Sequence, residues 1–252
     1  PVMKMPSGNY SADPANERWD DRTERLLGFD AMERLRDASV LIVGAGGVGG
    51  YAAEMLVRSG IGKMTVIDAD NVAESNINRQ LIALRSNVGR SKAIMYAERF
   101  HDINPEAVID ALQMYVGEDE VDEILDGDFD YVLDCIDTVG PKAALLSRCL
   151  RRRVPVVSSM GAGGRIDPTK VCYMDLWQTR DDGLARAVRQ RLRKAGVRSP
   201  LTTVCSMEPA GKHSLLEVEE TNKRTSYGTL ASIPALFGIF MANHAIRAIA
   251  RV

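Results

Sequence analysis

The feature that most constrains this chain is GAGGVGG, residues 44–50, which comes after the apolar run SVLIV and precedes a helical pattern over 48–58. Gly44, Gly46 and Gly49 form a G-x-G-x-x-G. Between a strand and a helix, that spacing lets backbone N–H groups and the positive helix end approach phosphates. Gly44, Gly46, Gly47, Val48 and Gly49 are therefore the candidate phosphate cradle. Asp68 ends a second apolar strand, with Asp70 two residues on. An acid there accepts hydrogen bonds from ribose hydroxyls. These residues serve a dinucleotide and ATP alike, and alone they lean toward the dinucleotide.

The rest of the first half repeats the strand–helix alternation. Apolar periodicity predicts a helix over 24–36 broken at Gly28 and strands over 39–43, 64–67, 107–114, 131–135 and 154–158. Helices are predicted over 48–58, 91–100, 119–125 and 142–151. Such alternation predicts an α/β fold, a Rossmann-like, doubly wound and mostly parallel sheet. From Gly161 the texture becomes turn-rich, with a strand in VCYMDLWQ and a basic helix over 182–195. No linker or internal repeat separates the halves. The expected organisation is a flexible polar arm over 1–17 and a single domain over 18–252, the C-terminal part being an elaboration. A chain of 252 residues, 45% apolar, is long enough to bury such a core. The run over 229–252 is interrupted by Pro234, Asn243, His244 and Arg247, short of the ~20 clean residues of a span. It reads as a buried helix, with membrane association left open if sequence continues past Val252.

The residues after Asp68 shift the choice of nucleotide. Asn76 and Arg79 lie in DADNVAESNINRQ, and Lys92 opens the next helix in GRSKA. A dehydrogenase has no use for cations there, whereas cleaving ATP between its α- and β-phosphates does. Asp137, in VLDCIDT at the carboxyl end of a central strand, is the candidate Mg²⁺ ligand. Singly, Arg79 and Lys92 read equally as solvated charges, and Asp137 as a helix cap. Asp134 lies inside the strand and ranks below Asp137.

In order and spacing, RxxRxxLLG, VLIVGAGGVGG, RSGIGKMTVIDADNVAESNINRQ, GRSKA and VLDCIDT resemble the ubiquitin-activating-type (ThiF/MoeB-like) adenylyltransferases, over about residues 18–159. The resemblance implies that Asp68 binds the ribose and that Asp70 is a further nucleotide-binding residue. It implies that Asn76, Arg79 and Lys92 contact phosphates and that Asp137 serves Mg²⁺, with Arg22, Arg79, Lys92 and Asp137 catalytic. It also implies a homodimer in which Arg22 reaches the neighbouring subunit's ATP; Arg18 and Arg25 are close enough to be confused with it. A Na⁺ or K⁺ ion and a cysteine-desulfurase sulfur-transfer system are further partners that it suggests.

Members that activate sulfur carriers typically have two zinc-binding CxxC pairs. Here Cys135, Cys149, Cys172 and Cys205 form none, and they read as reduced thiols in a cytoplasmic protein. Cys205, in the turn-like TTVCSMEPAG, reads as a structural thiol or a nucleophile. SMGAGGRIDPTKV, VCSMEP and the closing SYGTLASIPALFGIFMANHAIR instead resemble the branch that dehydrates threonylcarbamoyladenosine in tRNA. That branch needs no catalytic cysteine, because the substrate's own carbamoyl group closes the ring. The formal net charge is −2, so any RNA surface is local. Arg186, Arg189, Arg193 and Lys194 of the basic helix are the candidate tRNA contacts; a solvated face is the equal alternative. Arg151–Arg153 and the loop carrying Asn222, Lys223, Arg224 and Thr225 are weaker ones. Activation of a ubiquitin-like or sulfur-carrier protein's C-terminal glycine is the second functional expectation.

Overall fold

In β1 (Ser39–Val43), Val40 and Ile42 enter one core cluster while Leu41 and Val43 enter another on the opposite face. A strand apolar on both faces needs cover on both, as in parallel sheets sandwiched between helices. The computed structural model describes residues 17–211, 214–220 and 223–252. The expected arm lies outside these residues except for Glu17, and Asn222 lies outside them as well.

β1 is central to a seven-stranded sheet of order β3-β2-β1-β4-β5-β7-β6. The others are β2 (Lys63–Ile67), β3 (Val108–Leu112), β4 (Tyr131–Asp134), β5 (Val156–Ser159), β6 (Val171–Asp175) and β7 (Thr202–Ser206). All pairs are parallel except β6 with β7. The α2 (Phe29–Asp37), α3 (Gly49–Arg58), α4 (Lys92–Ile103) and α8 (Ser232–Ala250) helices cover one face. The other is covered by α5 (Val121–Ile124), α6 (Val139–Arg152) and α7 (Gly183–Lys194). The α1 helix (Asp21–Leu27) packs beside α2, the two parting at Gly28 as the sequence predicts.

Two elements differ from expectation. TTVCS is β7, a buried strand between β5 and β6, rather than part of a turn. Pro209 and Gly211 lie just beyond it and give the stretch a turn-like composition, although its apolar residues sit in the sheet. The predicted loop around Lys223 is instead β9 (Lys223–Tyr227), which pairs with β8 (Leu215–Glu220) in a separate antiparallel hairpin. The apolar C-terminal run is α8, which is long and apolar enough by length and composition to cross a membrane. Here its Ile233, Phe237, Met241, Ala242 and Ala245 are buried, and it packs on α3. Arg34 ties its end by donating two hydrogen bonds to the Ala250 carbonyl, at 3.1 and 2.7 Å.

Strand order reverses between β1 and β4, which opens a crevice between the loops at their carboxyl ends. The turn from β1 into α3 is sterically exacting. Gly44 has φ +92°, and a Cβ on it would stand 2.9 Å from the Cys135 carbonyl oxygen of the facing loop. A Cβ on Gly49 would stand 1.8 Å from the Gly44 carbonyl oxygen. At Gly46 the nearest atom would be Gln80 Nε2, at 3.7 Å. Gly49→Ala is therefore expected to cost about 3 kcal/mol or more through backbone displacement. That corresponds to roughly 6 °C or more of thermal midpoint in a chain this size. Gly46→Ala should remain within about 2 °C of wild type, and thermal unfolding of the two variants side by side checks the contrast.

Candidate active site

Asp68, at the end of β2, braces the glycine loop. One carboxylate oxygen accepts the Ala45 N–H at 2.7 Å and the other the Asp70 N–H at 2.9 Å. Burial pushes its carboxyl above the usual range, while Lys92 and the two N–H groups pull it back. Lys92 is the first residue of α4 and only 3% exposed, so the solvated-charge alternative fails for it. Its Nζ lies 2.7 Å from the Asp70 carboxylate and 3.9 Å from that of Asp68. The structure thus brings Asp68, Asp70 and Lys92 together beside the glycine loop.

Asn76 and Arg79 occupy the next turn. The Asn76 side-chain oxygen accepts the Ala73 N–H at 3.0 Å and so shapes the 3-10 turn Glu74–Asn76. Its carbonyl accepts the N–H groups of Arg79 and Gln80 at 3.1 and 2.9 Å. The Arg79 guanidinium donates to the Ser75 carbonyl at 3.0 Å and to Asn78 Oδ1 at 2.9 Å. Arg79 packs along the cradle, its Cγ only 3.4 Å from where a Gly47 Cβ would be. Gln80 is a site residue that sequence reasoning does not single out. It is buried against Gly46, with its Oε1 lacking a hydrogen-bond partner among the described residues. Its only sequence signal is its place directly after Arg79.

Asp137 is exposed in the turn between β4 and α6. Thr138 holds the N-cap position of α6, one residue after Asp137, without a side-chain cap bond. An exposed carboxylate at the carboxyl end of β4, beside the phosphate cradle, suits Mg²⁺, which uses one or two carboxylates with phosphate oxygens and water. No group of three or more His, Cys, Asp or Glu forms an all-protein cage among the described residues. Asp134 is fully buried and paired with Lys142.

On α1 and just before it, the three N-terminal arginines separate clearly. The Arg18 guanidinium holds Asp21 at 2.9 Å and Glu24 at 2.7 Å. Arg25 is 38% exposed, and Arg22 is 87% exposed with Glu17 at 3.5 Å. Arg22 projects furthest into solvent.

The basic helix α7 is more committed than its sequence implies. Asp182 caps it by accepting the Ala185 N–H at 2.8 Å, and also takes the Gly161 N–H at 3.0 Å and Arg165 at 3.1 Å. This anchors α7 to the loop after β5. Arg189 is turned inward, donating to the Leu176 and Thr179 carbonyls at 3.2 and 3.0 Å and to the Thr179 hydroxyl. Arg193 lies over the Trp177 ring at 5.6 Å, and Arg191 pairs with Glu118 at 2.7 Å. Arg186 and Lys194 remain exposed on the outer face. Arg151 and Arg152 donate to the Ala195 and Leu125 carbonyls, so both have local structural partners.

Cys205 also differs from its expected setting. It lies in β7 directly opposite Cys172 of β6 and is 3% exposed. Burial and the neighbouring thiol push it up to about 12. The nucleophile alternative loses its basis, because the reactive species is the thiolate.

The chain matches the model of the ThiF family over residues 21–252. It belongs to that family. Within the ThiF family it is similar to the tRNA threonylcarbamoyladenosine dehydratase of Escherichia coli strain K12, at 37% identity over 92% of this chain and 94% of that protein. A crystal structure of the E. coli enzyme in complex with ATP superposes with a TM-score of 0.86, covering 96% of this chain and 98% of that one. The chain is also similar to E. coli molybdopterin-synthase adenylyltransferase, at 31% identity over 82% of this chain and 81% of that protein.

Arg189→Ala removes hydrogen bonds made by a charged group, each typically worth ~2 kcal/mol. It is expected to lower the thermal midpoint clearly, whereas Arg186→Ala should leave it unchanged. Calorimetry of the two variants tests the inward assignment; equal midpoints would count against it.

Proposed function

We propose that this chain is an ATP-dependent dehydratase acting on threonylcarbamoyladenosine in tRNA. The observation that carries the reading is the near full-length likeness to the E. coli dehydratase, which includes the second half where α7 and β7 lie. In this reaction the threonyl carboxylate attacks the α-phosphorus of ATP and pyrophosphate leaves, giving an acyl adenylate. The neighbouring carbamoyl group then attacks the acyl carbon, the ring closes and AMP departs, with net loss of water from the substrate. Both reacting groups belong to one nucleoside, so proximity supplies much of the acceleration of the second step.

The roles of the residues derive from their chemistry. Backbone N–H groups of the cradle from Gly44 to Gly49 hold phosphate oxygens, and Asp68 and Asp70 hold the ribose side. Arg79 and Lys92 offset negative charge on the attacked phosphorus and the departing pyrophosphate, and Asn76 keeps the turn bearing Arg79 in shape. Asp137 is the ligand for Mg²⁺, which when bound screens the phosphate charge. Arg22 acts on the partner subunit's nucleotide in a homodimer. Arg186, Arg193 and Lys194 contact tRNA phosphates, while Arg189 holds their helix in place. One adenylation domain over 18–252, working in the cytoplasm, completes the reading; a monovalent cation and a sulfur-transfer partner receive no residues. A second reading, activation of a carrier protein's C-terminal glycine, is favoured by the likeness to the molybdopterin-synthase adenylyltransferase.

Incubating tRNA that bears threonylcarbamoyladenosine with the protein, ATP and Mg²⁺ is expected to give the cyclised nucleoside, with AMP and pyrophosphate. Nucleoside analysis of the digested tRNA reads this directly. Unchanged nucleoside, together with an adenylate on a small carrier protein, would favour the second reading. For the subunit arrangement, Arg22→Ala and Asp68→Asn should each be nearly inactive alone. Co-refolded in equal amounts, they should recover about a quarter of wild-type turnover, since half the dimers then carry one intact site. No recovery would point to a role within its own subunit or to a different arginine.

A further inference from the structure

Asp134 is the last residue of β4, directly before the loop whose Cys135 carbonyl faces Gly44. Its carboxylate is fully buried, and so is the Lys142 ammonium 2.7 Å away. An ion pair without solvent is costly to form unless its remaining lone pairs and protons are also satisfied. Here the Oδ2 that takes Lys142 also accepts the Ser158 hydroxyl at 2.5 Å, and the Lys142 Nζ reaches the Asp134 carbonyl at 3.5 Å. Ser158 is the register partner of Asp134 across β4 and β5. The other carboxylate oxygen, Oδ1, accepts the backbone N–H of Ile136 at 3.2 Å.

That last bond turns a core ion pair into something directed. Ile136 stands between Cys135, whose carbonyl faces Gly44, and Asp137. We infer that Asp134, Lys142 and Ser158 form a positioning unit that pins the turn between β4 and α6, and thereby aims the Asp137 carboxylate into the nucleotide crevice. Three elements meet at one carboxylate: β4 supplies it, α6 charges against it and β5 orients it. The spare oxygen then fixes the first residues after the strand. A pair serving only core cohesion has no need of the Ile136 contact, and apolar residues of similar volume do that work as well or better. The aiming of Asp137 rests on its proposed service to Mg²⁺; the pinning of the turn does not.

Two variants separate these ideas. Asp134→Asn with Lys142→Met removes the ion pair but keeps an amide oxygen to accept the Ile136 N–H, while the amide N–H₂ donates to the Ser158 hydroxyl oxygen. Asp134→Leu with Lys142→Met and Ser158→Ala removes every polar partner and leaves the Ile136 N–H without an acceptor. Amide hydrogen exchange over 135–138 in the nucleotide-free protein is expected to quicken about tenfold or more in the apolar triple variant, as a broken local bond would cause. In the Asn/Met variant it should stay within about threefold of wild type. Equal exchange in both would overturn the inference and leave the pair a core device. Should the triple variant not fold, Ser158→Ala alone serves, with exchange at Ile136 expected to rise about threefold; no rise would overturn it likewise. Calorimetric titration tests the aiming separately. The triple variant should lose about tenfold in affinity for ATP with Mg²⁺ and less than threefold for AMP without it, tenfold being 1.4 kcal/mol. Quickened exchange with ATP affinity unchanged would retain the pinned turn and discard the role of Asp137.

Discussion

The Gly44 carbonyl oxygen sits where a side chain of Gly49 would have to be, and that contact governs much of the molecule. It lets the chain reverse from β1 into α3 within a few residues, so that the helix starts directly above the strand it leaves. The facing loop closes to within touching distance, because Gly44 offers no Cβ to the Cys135 carbonyl. The crevice between β1 and β4 is therefore narrow by construction. Where Gly44 meets the Cys135 carbonyl both surfaces are backbone, and the N–H groups of the turn suit a ligand rich in phosphate oxygens. Widening the turn would separate the cradle from Asp68, whose carboxylate holds the Ala45 N–H.

Around this crevice, ionic groups take three different states. Lys92 and Asp68 are withdrawn from water yet remain next to the cradle, where a charge acts more strongly than in solvent. Asp134 and Lys142 are withdrawn further and pair with each other, with Ser158 and the Ile136 N–H taking up the rest of the carboxylate. Arg22, Arg186 and Lys194 stand in solvent, available to another chain or to a polyanion. Identical residue types thus separate by depth. Depth is set by the layer in which each element lies, because the same sheet supports all three groups.

Much of this is legible in the sequence because it depends on local pattern. The strand–helix alternation, the break at Gly28 and the glycine loop each express a backbone requirement within a few residues. The β7 strand escapes notice because only five residues carry it and turn formers come soon after. Its burial is conferred by β5 and β6, which are distant in the chain. The inward turn of Arg189 is hidden for a similar reason: its acceptors are carbonyls of 176 and 179, ten or more positions away. Lys142 leaves a trace that pattern alone does not decode. An acid within the apolar strand VLDC requires a counter-charge, but the partner is named only when α6 is laid against β4. Gln80 leaves no trace beyond adjacency.

The docking of α8 has a consequence for how the protein reaches this state. Its contacts with α2 and α3 join residues more than two hundred positions apart at the far end, as in the Arg34–Ala250 bonds, separated by 216. One face of the sheet therefore stays incompletely covered until nearly all of the described chain has been synthesised. The nascent intermediate presents Ala52, Leu56 and their neighbours on α3 to solvent, while the helix that will cover them is itself apolar enough to seek other surfaces. Such non-local closure is slow, and exposed intermediates of this kind are prone to aggregate. Covering of this face thus waits on α8, whichever of the earlier elements has already folded.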